Sequence, residues 1–360
     1  MKVLIKHIYR ICCLPKLLER TYSALSLNKS IYVFVLFTTL LPTNLIWSQS
    51  GNVFLKNYNP NLNNVSGKST SIAQGANGIM YFANPSGVLS YDGKNWGIIN
   101  VPSIPLVLAA NPYNKKIFVG CRKDFGYIDF DIMGKEIYTS ISNHYSNFED
   151  ISKIIITKEY VYFYCTKQLF CYSITSNNLT EILPPAWNDR YSGFFQNNGG
   201  IFVNIEGKGL HDIRGNKLWK INNQLAEQKI IASIYFSDST TFIYTDGNNS
   251  YIFNDKKLYS FTIEDGTYLK DNSVITGINL SKNLFVLSTL SGGCVIINKN
   301  TGKTNSIINY QTGLPDNEVY AIATDKLGGL WITHNYGVTR ADYQLPITSF
   351  SSYPGLSGNL

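Results

Sequence analysis

Residues 313–342 read GLPDNEVYAIATDKLGGLWITHNYGVTRAD. Residues 319–323 alternate apolar and small side chains, and 325–328, Asp-Lys-Leu-Gly, make a tight turn. Residues 330–333 form a second strand centred on Trp331, 334–337 turn again, and 338–341 open a third strand. Short antiparallel strands joined by four-residue turns form a meander, which cannot bury its own apolar face. The unit therefore needs neighbours of its own kind.

The chain supplies them. Aligning strand, turn, aromatic-centred strand, turn and strand gives seven copies. Their central aromatics are Tyr81, Phe118, Tyr162, Phe202, Phe242, Phe285 and Trp331, spaced 37, 44, 40, 40, 43 and 46 residues apart. A four-stranded blade takes about 40–50 residues, and seven blades close readily into a ring. The expected fold is all-β, a seven-bladed β-propeller of four-stranded antiparallel blades spanning residues 51–355. The central aromatics are expected between neighbouring sheets. A lone strand at 52–58 is expected to pair with the last blade and close the ring, because closure removes exposed sheet edges. Residues 347–353 are read as the outer strand of blade 7. No run after residue 50 has the pattern of an amphipathic helix. The end of the chain, GLSGNL at 355–360, resembles the GLPDN at 313–317, so 356–360 reads as the start of a further repeat, which favours truncation, or as a tail.

Composition agrees. Aromatics make up 14% of the 360 residues and charged residues 15%, well under the usual charged share of about 25%. The net charge of +7 is concentrated at the front. Residues 1–48 hold Lys2, Lys6, Arg10, Lys16, Arg20 and Lys29 against Glu19, which is 6 − 1 = +5, leaving 25 − 23 = +2 for the rest. The body lacks the basic field that nucleic-acid binding requires. Within residues 1–50, the apolar run IYVFVLFTTLL at 31–41 follows basic residues and is broken by Pro42. Its eleven residues suit the core of a secretory signal peptide. The alternative is an N-terminal membrane segment, though a spanning helix needs about 20 apolar residues. Either reading places the body in the periplasm or elsewhere outside the cytoplasm, with membrane contact only through this segment if it stays uncleaved.

The stretch 313–342 resembles the bacterial two-component-regulator propeller repeat, of the form G-L-P-x-N-x-V, D-x-x-G-x-L-W-I and G-[LV]-x-R-x-D. The matching residues are Gly313, Leu314, Pro315, Asn317, Val319, Asp325, Gly328, Leu330, Trp331, Ile332, Gly337, Val338, Arg340 and Asp342; Thr333 stands where the repeat usually has Gly. Residues 72–96 are similar, while blades 3 to 5 match weakly. The resemblance implies a periplasmic sensor domain of the kind found in triple-tyrosine-motif sensor and regulator proteins, joined to a C-terminal or partner signalling module. Kinase, ATP-binding and DNA-binding segments are not among these residues.

Chemistry-bearing residues are sparse. Cys121, Cys165, Cys171 and Cys294 do not have zinc spacing. Cys165 and Cys171 are open to a hairpin disulfide or to packing as buried thiols. His144, His211 and His334 fall in different blades without metal-ligand spacing. No cofactor motif holds: Gly67-Lys68-Ser69-Thr70 lacks the first glycine and the helix of a phosphate loop. The connectors at 140–150, 181–192 and 261–273 share one end of the ring with the turns between second and third strands, which makes a loop-rich face. The ligand-binding candidates on that face are Asn84, Arg122, Asp124, Trp187, Glu206, Asp246, His334 and Tyr336, suited to a saccharide or peptide. The expected function is non-enzymatic: an extracytoplasmic sensor that recognises a ligand. The alternatives are a secreted interaction scaffold and a propeller-fold carbohydrate-active hydrolase or lyase.

Overall fold

Each repeat folds as a meander because its strands are short and rich in β-branched and aromatic residues, while its turns carry Asn, Asp, Gly and Ser. The computed structural model describes residues 52–349 apart from 61, 63, 64, 143, 144, 146, 199 and 344–347. Strands β1 (Asn52–Val53) and β2 (Leu55–Tyr58) come first. Blade 1 follows with β3 (Ser71–Gln74), β4 (Met80–Asn84), β5 (Gly87–Tyr91) and β6 (Trp96–Ile99). Blade 2 is β7 (Pro105–Ala110), β8 (Ile117–Cys121), β9 (Asp124–Phe130) and β10 (Glu136–Ser140). Blade 3 is β11 (Lys153–Ile156), β12 (Tyr160–Tyr164), β13 (Leu169–Ser173) and β14 (Leu179–Ile182). Blade 4 is β15 (Tyr191–Asn197), β16 (Gly200–Ile205), β17 (Gly209–Arg214) and β18 (Lys217–Asn222). Blade 5 is β19 (Ile230–Ser237), β20 (Thr240–Thr245), β21 (Ser250–Asn254) and β22 (Lys257–Ser260). Blade 6 is β23 (Val274–Asn279), β24 (Leu284–Thr289), β25 (Cys294–Asn298) and β26 (Thr304–Ile308). Blade 7 has β27 (Ala321–Thr324), β28 (Leu330–His334) and β29 (Gly337–Ala341). These strands form seven four-stranded antiparallel sheets, the expected seven-bladed propeller.

The fourth strand of blade 7 comes from the other end of the chain. β2 pairs antiparallel with β29, in a register running from Leu55 opposite Ala341 to Tyr58 opposite Val338. Thr339 Oγ1 donates to Asn57 Oδ1 at 2.6 Å across the seam. Gly337 lies at φ +118°, and a Cβ there would sit 2.7 Å from the Tyr58 carbonyl oxygen, so glycine lets the closing strand approach. The closure expected of 52–58 is therefore met by β2. The reading of 347–353 as blade 7's outer strand is corrected: β2 holds that place. The short β30 (Thr348–Ser349) instead pairs with β1 in a separate two-stranded ladder, and residues 347 and 350–353 lie outside the described ones.

The core lies between the blades. Trp331 packs into the junction of blades 7 and 1 with Ile72, Met80, Phe82 and Leu89, and stacks on Tyr58 of the closing strand at 5.1 Å. All seven central aromatics are buried. One sits in a different register. Phe285 packs back onto Phe242 of blade 5 at 4.7 Å, while Val286 faces blade 7. Phe285 is the second residue of the six-residue β24, whereas Phe202 and Phe242 are the third of the six-residue β16 and β20, and a shift of one residue turns a side chain to the opposite face of the sheet.

The matched repeat has one electrostatic centre. Asp325 Oδ1 accepts from the backbone N–H groups of Leu327 at 2.9 Å and Gly329 at 2.8 Å. Its Oδ2 accepts from Trp331 Nε1 at 2.8 Å and Arg340 Nε at 2.7 Å. Burial opposes ionisation of this carboxyl, but the bonds from Arg340, Trp331 and Gly329 outweigh it and hold Asp325 below the usual range. One carboxylate thus fixes the turn, the central aromatic and the third strand together.

Two further expectations are settled by geometry. Cys165 belongs to the cluster between blades 2 and 3 with Phe125 and Phe163, whereas Cys171 lies between blades 3 and 4 with Tyr162 and Phe194. They face opposite sides of one sheet and both are free and buried, which excludes the disulfide. A short helix, α1 (Gly266–Asn272), was not legible from the sequence; it forms part of the connector between blades 5 and 6 and packs Leu269 into the core between them.

Trp331→Ala should lower stability by about 3–5 kcal/mol, read from the urea midpoint, because it empties the closure junction. Alkylation of the unfolded protein with and without prior reduction should give the same number of labels on Cys121, Cys165, Cys171 and Cys294.

Candidate functional site

On the loop-rich face, the connectors that enter blades 3 and 4 rise beside the turn between β12 and β13. Together they enclose a groove of about 910 Å³, lined by Lys123, Glu149, Asp150, Thr166, Lys167 and Trp187 among others. The volume is in the range of small-molecule sites. Phe148 forms part of its floor, packed against Phe125 at 5.4 Å and Phe170 at 5.2 Å.

Trp187 is 98% exposed. It is carried by the sequence Leu183-Pro184-Pro185-Ala186-Trp187, in which two prolines stiffen the backbone. Asp189 closes the turn behind it: Oδ2 accepts the Ala186 N–H at 2.8 Å, and the Asp189 N–H donates to the Ala186 carbonyl at 3.0 Å. Lys208 Nζ of blade 4 holds the same carboxylate at 2.5 Å. The indole is thus presented to solvent from a constrained turn.

Charged groups are paired across the groove. Glu149 Oε1 lies 3.0 Å from Lys167 Nζ and 3.4 Å from Arg190 Nη1, and Thr166 Oγ1 donates to Oε2. Burial works against the Glu149 carboxylate, but the bonds from Thr166 and Lys167 and the charges of Lys167 and Arg190 prevail and hold it below the ordinary glutamate range. Asp150 Oδ2 faces Arg122 Nε at 3.5 Å. Acceptors, cations and an aromatic plate therefore converge on one concavity.

The sequence-based candidates divide into two groups. Asn84 is buried at the end of β4, where its Nδ2 donates to the carbonyls of Ser66 at 2.7 Å and Lys68 at 2.9 Å and ties the incoming connector to blade 1. Asp124 is buried and accepts from Tyr138 and Ser140 hydroxyls, both at 2.7 Å, and from Ser142. His334 is buried too: Nδ1 accepts the Tyr336 N–H at 3.2 Å and Nε2 lies 2.8 Å from Thr339 Oγ1. Burial lowers its pKa, with the charge of Asp316 opposing more weakly, so the neutral ring serves the closure seam. Arg122, Trp187, Glu206, Asp246 and Tyr336 are exposed on turns and connectors. Of these, Trp187 lines the groove and Arg122 pairs with its Asp150. Asp246 Oδ1 caps Lys229 N at 2.9 Å on blade 5, and Tyr336 lies between β28 and β29 on blade 7. Glu149, Lys167 and Asp189 were missed; only the Pro-Pro-Ala-Trp run signals their neighbourhood in the sequence. His144 lies outside the described residues, and His211 is buried on β17 with Nδ1 2.9 Å from the Gly209 carbonyl.

Residues 313–336 match the family model described as two component regulator propeller. No curated protein matches the chain. Among solved structures, the extracellular domain of a predicted hybrid two component system from B. thetaiotaomicron superposes with a TM-score of 0.60 at 12% identity, covering 80% of this chain and 42% of that one. A second such domain from B. thetaiotaomicron gives 0.61 at 13% identity, covering 82% and 40%. The chain thus spans about two fifths of the length of these domains. A catalytically inactive virginiamycin B lyase from Staphylococcus aureus, solved with quinupristin, gives 0.62 at 9% identity, covering 80% and 98%. At these identities the likeness is one of fold. The chain is a β-propeller that carries a two component regulator propeller repeat at 313–336, the segment that holds the Asp325–Trp331 bond.

Proposed function

We propose that the chain is the ligand-recognition propeller of an extracytoplasmic sensor of the two-component type, and that the groove beside Trp187 takes a saccharide. The observation that carries this reading is the bare indole on a braced turn over a concavity lined with hydrogen-bonding groups. A sugar presents an apolar ring face and a rim of hydroxyls, which suits an aromatic plate flanked by carboxylates and ammonium groups. The repeat at 313–336, the extracellular fold neighbours and the apolar run at 31–41 support the sensor assignment. A peptide would use the same indole as an anchor, and panel binding separates the two.

The reading is one of binding. A general acid needs a carboxyl whose pKa is raised towards neutrality, and Glu149 is shifted the other way by Lys167 and Arg190. The groove's carboxylates are set to accept hydrogen bonds.

Calorimetry of the protein against a panel of neutral and acidic oligosaccharides and a peptide panel tests this. At least one oligosaccharide should bind, and Trp187→Ala should weaken it about ten-fold or more without moving the melting temperature, since the side chain packs on nothing. Heat from no saccharide, or equal affinity in the variant, would remove the proposal.

A further inference from the structure

The innermost strands leave a channel of about 340 Å³ along the propeller axis, lined by β3, β7, β11, β19, β23 and β27 and their approaches. Two features of its wall are unusual. β7, β19 and β23 each carry a bulge, between Pro105 and Val107, Ile230 and Ala232, and Val274 and Thr276. The residues left out of the ladders, Leu106, Ile231 and Ile275, all line the channel. A bulge re-aims a side chain, and here three equivalent bulges add apolar side chains to a wall that also carries Thr70, Ser71, Ser152, Ser233 and Thr276, with Ile231 39% exposed.

The second feature is Lys153 on β11. Its Nζ reaches past blade 4 to Ser233 Oγ of blade 5 at 2.6 Å. Lys153 makes no ion pair among the described residues. β3, β7, β15, β19, β23 and β27 carry no charged side chain within their strand bounds. Tyr320 is the other titratable group on the wall; its hydroxyl donates to Asn335 Oδ1 at 2.8 Å and Lys68 Nζ lies 4.9 Å above its ring. Glu318 and Asp316 stand beyond it, bonded to Asn335. A buried ammonium with a hydroxyl partner but no ion-pair partner is costly unless an anion joins it. An inorganic anion would satisfy the charge and leave the apolar part of the wall, at Val107, Ile231 and Ile275, unused.

We infer that the axial channel binds a short monocarboxylate, its carboxylate between the Lys153 ammonium and the Ser233 hydroxyl and its apolar body along Ile231, Ile275 and Val107. The site is separate from the loop-face groove and stands or falls independently of it. The cavity is large enough for such a ligand. Burial pushes the Lys153 ammonium down to about 8 when the channel holds no anion. Binding needs the protonated amine, so affinity is full below that value and falls as pH rises through it.

The test is calorimetric titration of the protein with sodium hexanoate, acetate and chloride at constant ionic strength. Hexanoate should bind saturably and more tightly than acetate, with no saturable binding of chloride. For hexanoate, affinity at pH 9.5 should be roughly thirty-fold weaker than at pH 6.5, given a pKa of about 8. Lys153→Met should abolish binding while melting at or above the parent temperature, because it removes a buried charge. Lys153→Arg should retain binding and lose the pH dependence, as guanidinium stays charged. Absence of hexanoate binding at pH 6.5, equal binding by Lys153→Met, or a flat pH profile in the parent protein would each overturn the assignment. If Lys153→Met does not fold, the parent pH profile and Lys153→Arg decide.

Discussion

Every blade in this protein is apolar on both faces, and a sheet of that kind is stable only when a neighbour covers each side. Six junctions follow from chain order. The seventh, between blades 7 and 1, exists because β2 crosses from the N-terminal side of the propeller to complete blade 7. Tyr58 on that strand stacks on Trp331, and Trp331 packs on Phe82 of blade 1, so ring closure and core formation are one event there. The closing ladder contributes hydrogen bonds, and the junction contributes the burial that makes them worthwhile.

The repeat motif is the local expression of that constraint. Asp325 binds two turn amides, the indole of Trp331 and the guanidinium of Arg340, so one carboxylate fixes side chains from consecutive elements. Blade 1 substitutes an aromatic answer: Tyr81 takes the central position and donates its hydroxyl to Glu136 of blade 2 at 2.5 Å. Blades 3 to 5 lack the Asp-to-Trp arrangement and lean on phenylalanine and tyrosine stacking, such as Tyr164 on Phe194 at 5.3 Å. The ring therefore keeps its geometry while the residues that secure each blade change, as expected when burial between sheets supplies most of the stability.

The rigid ring leaves its axis and its loop face free to vary. The groove beside Trp187 is made by two connectors and two turns, and the channel by strands from six blades. Both border the junction cores, through Phe148 in the groove and Ile72 in the channel, and add polar and charged groups beside them. Arg122, Asp150, Glu149, Lys167 and Arg190 form their pairs only because two connectors and two turns meet.

The architecture is written in local pattern: the 40-residue period, the aromatic centres and the closing strand can all be read along the chain, and the period of two in a strand makes burial readable. That pattern misplaces Phe285 by one position, because position along the strand, not residue type, sets which face a residue takes. It does not separate Asn84, Asp124 and His334, which hold connectors and seams from the inside, from Trp187, which stands in solvent; all four occupy turn-adjacent positions in the chain. That distinction is made by neighbouring blades, as are the opposite faces of Cys165 and Cys171, the convergence on Glu149 and the isolation of Lys153 in the channel. Local pattern fixes which residues point away from a strand, and only the closed ring decides what waits on the other side.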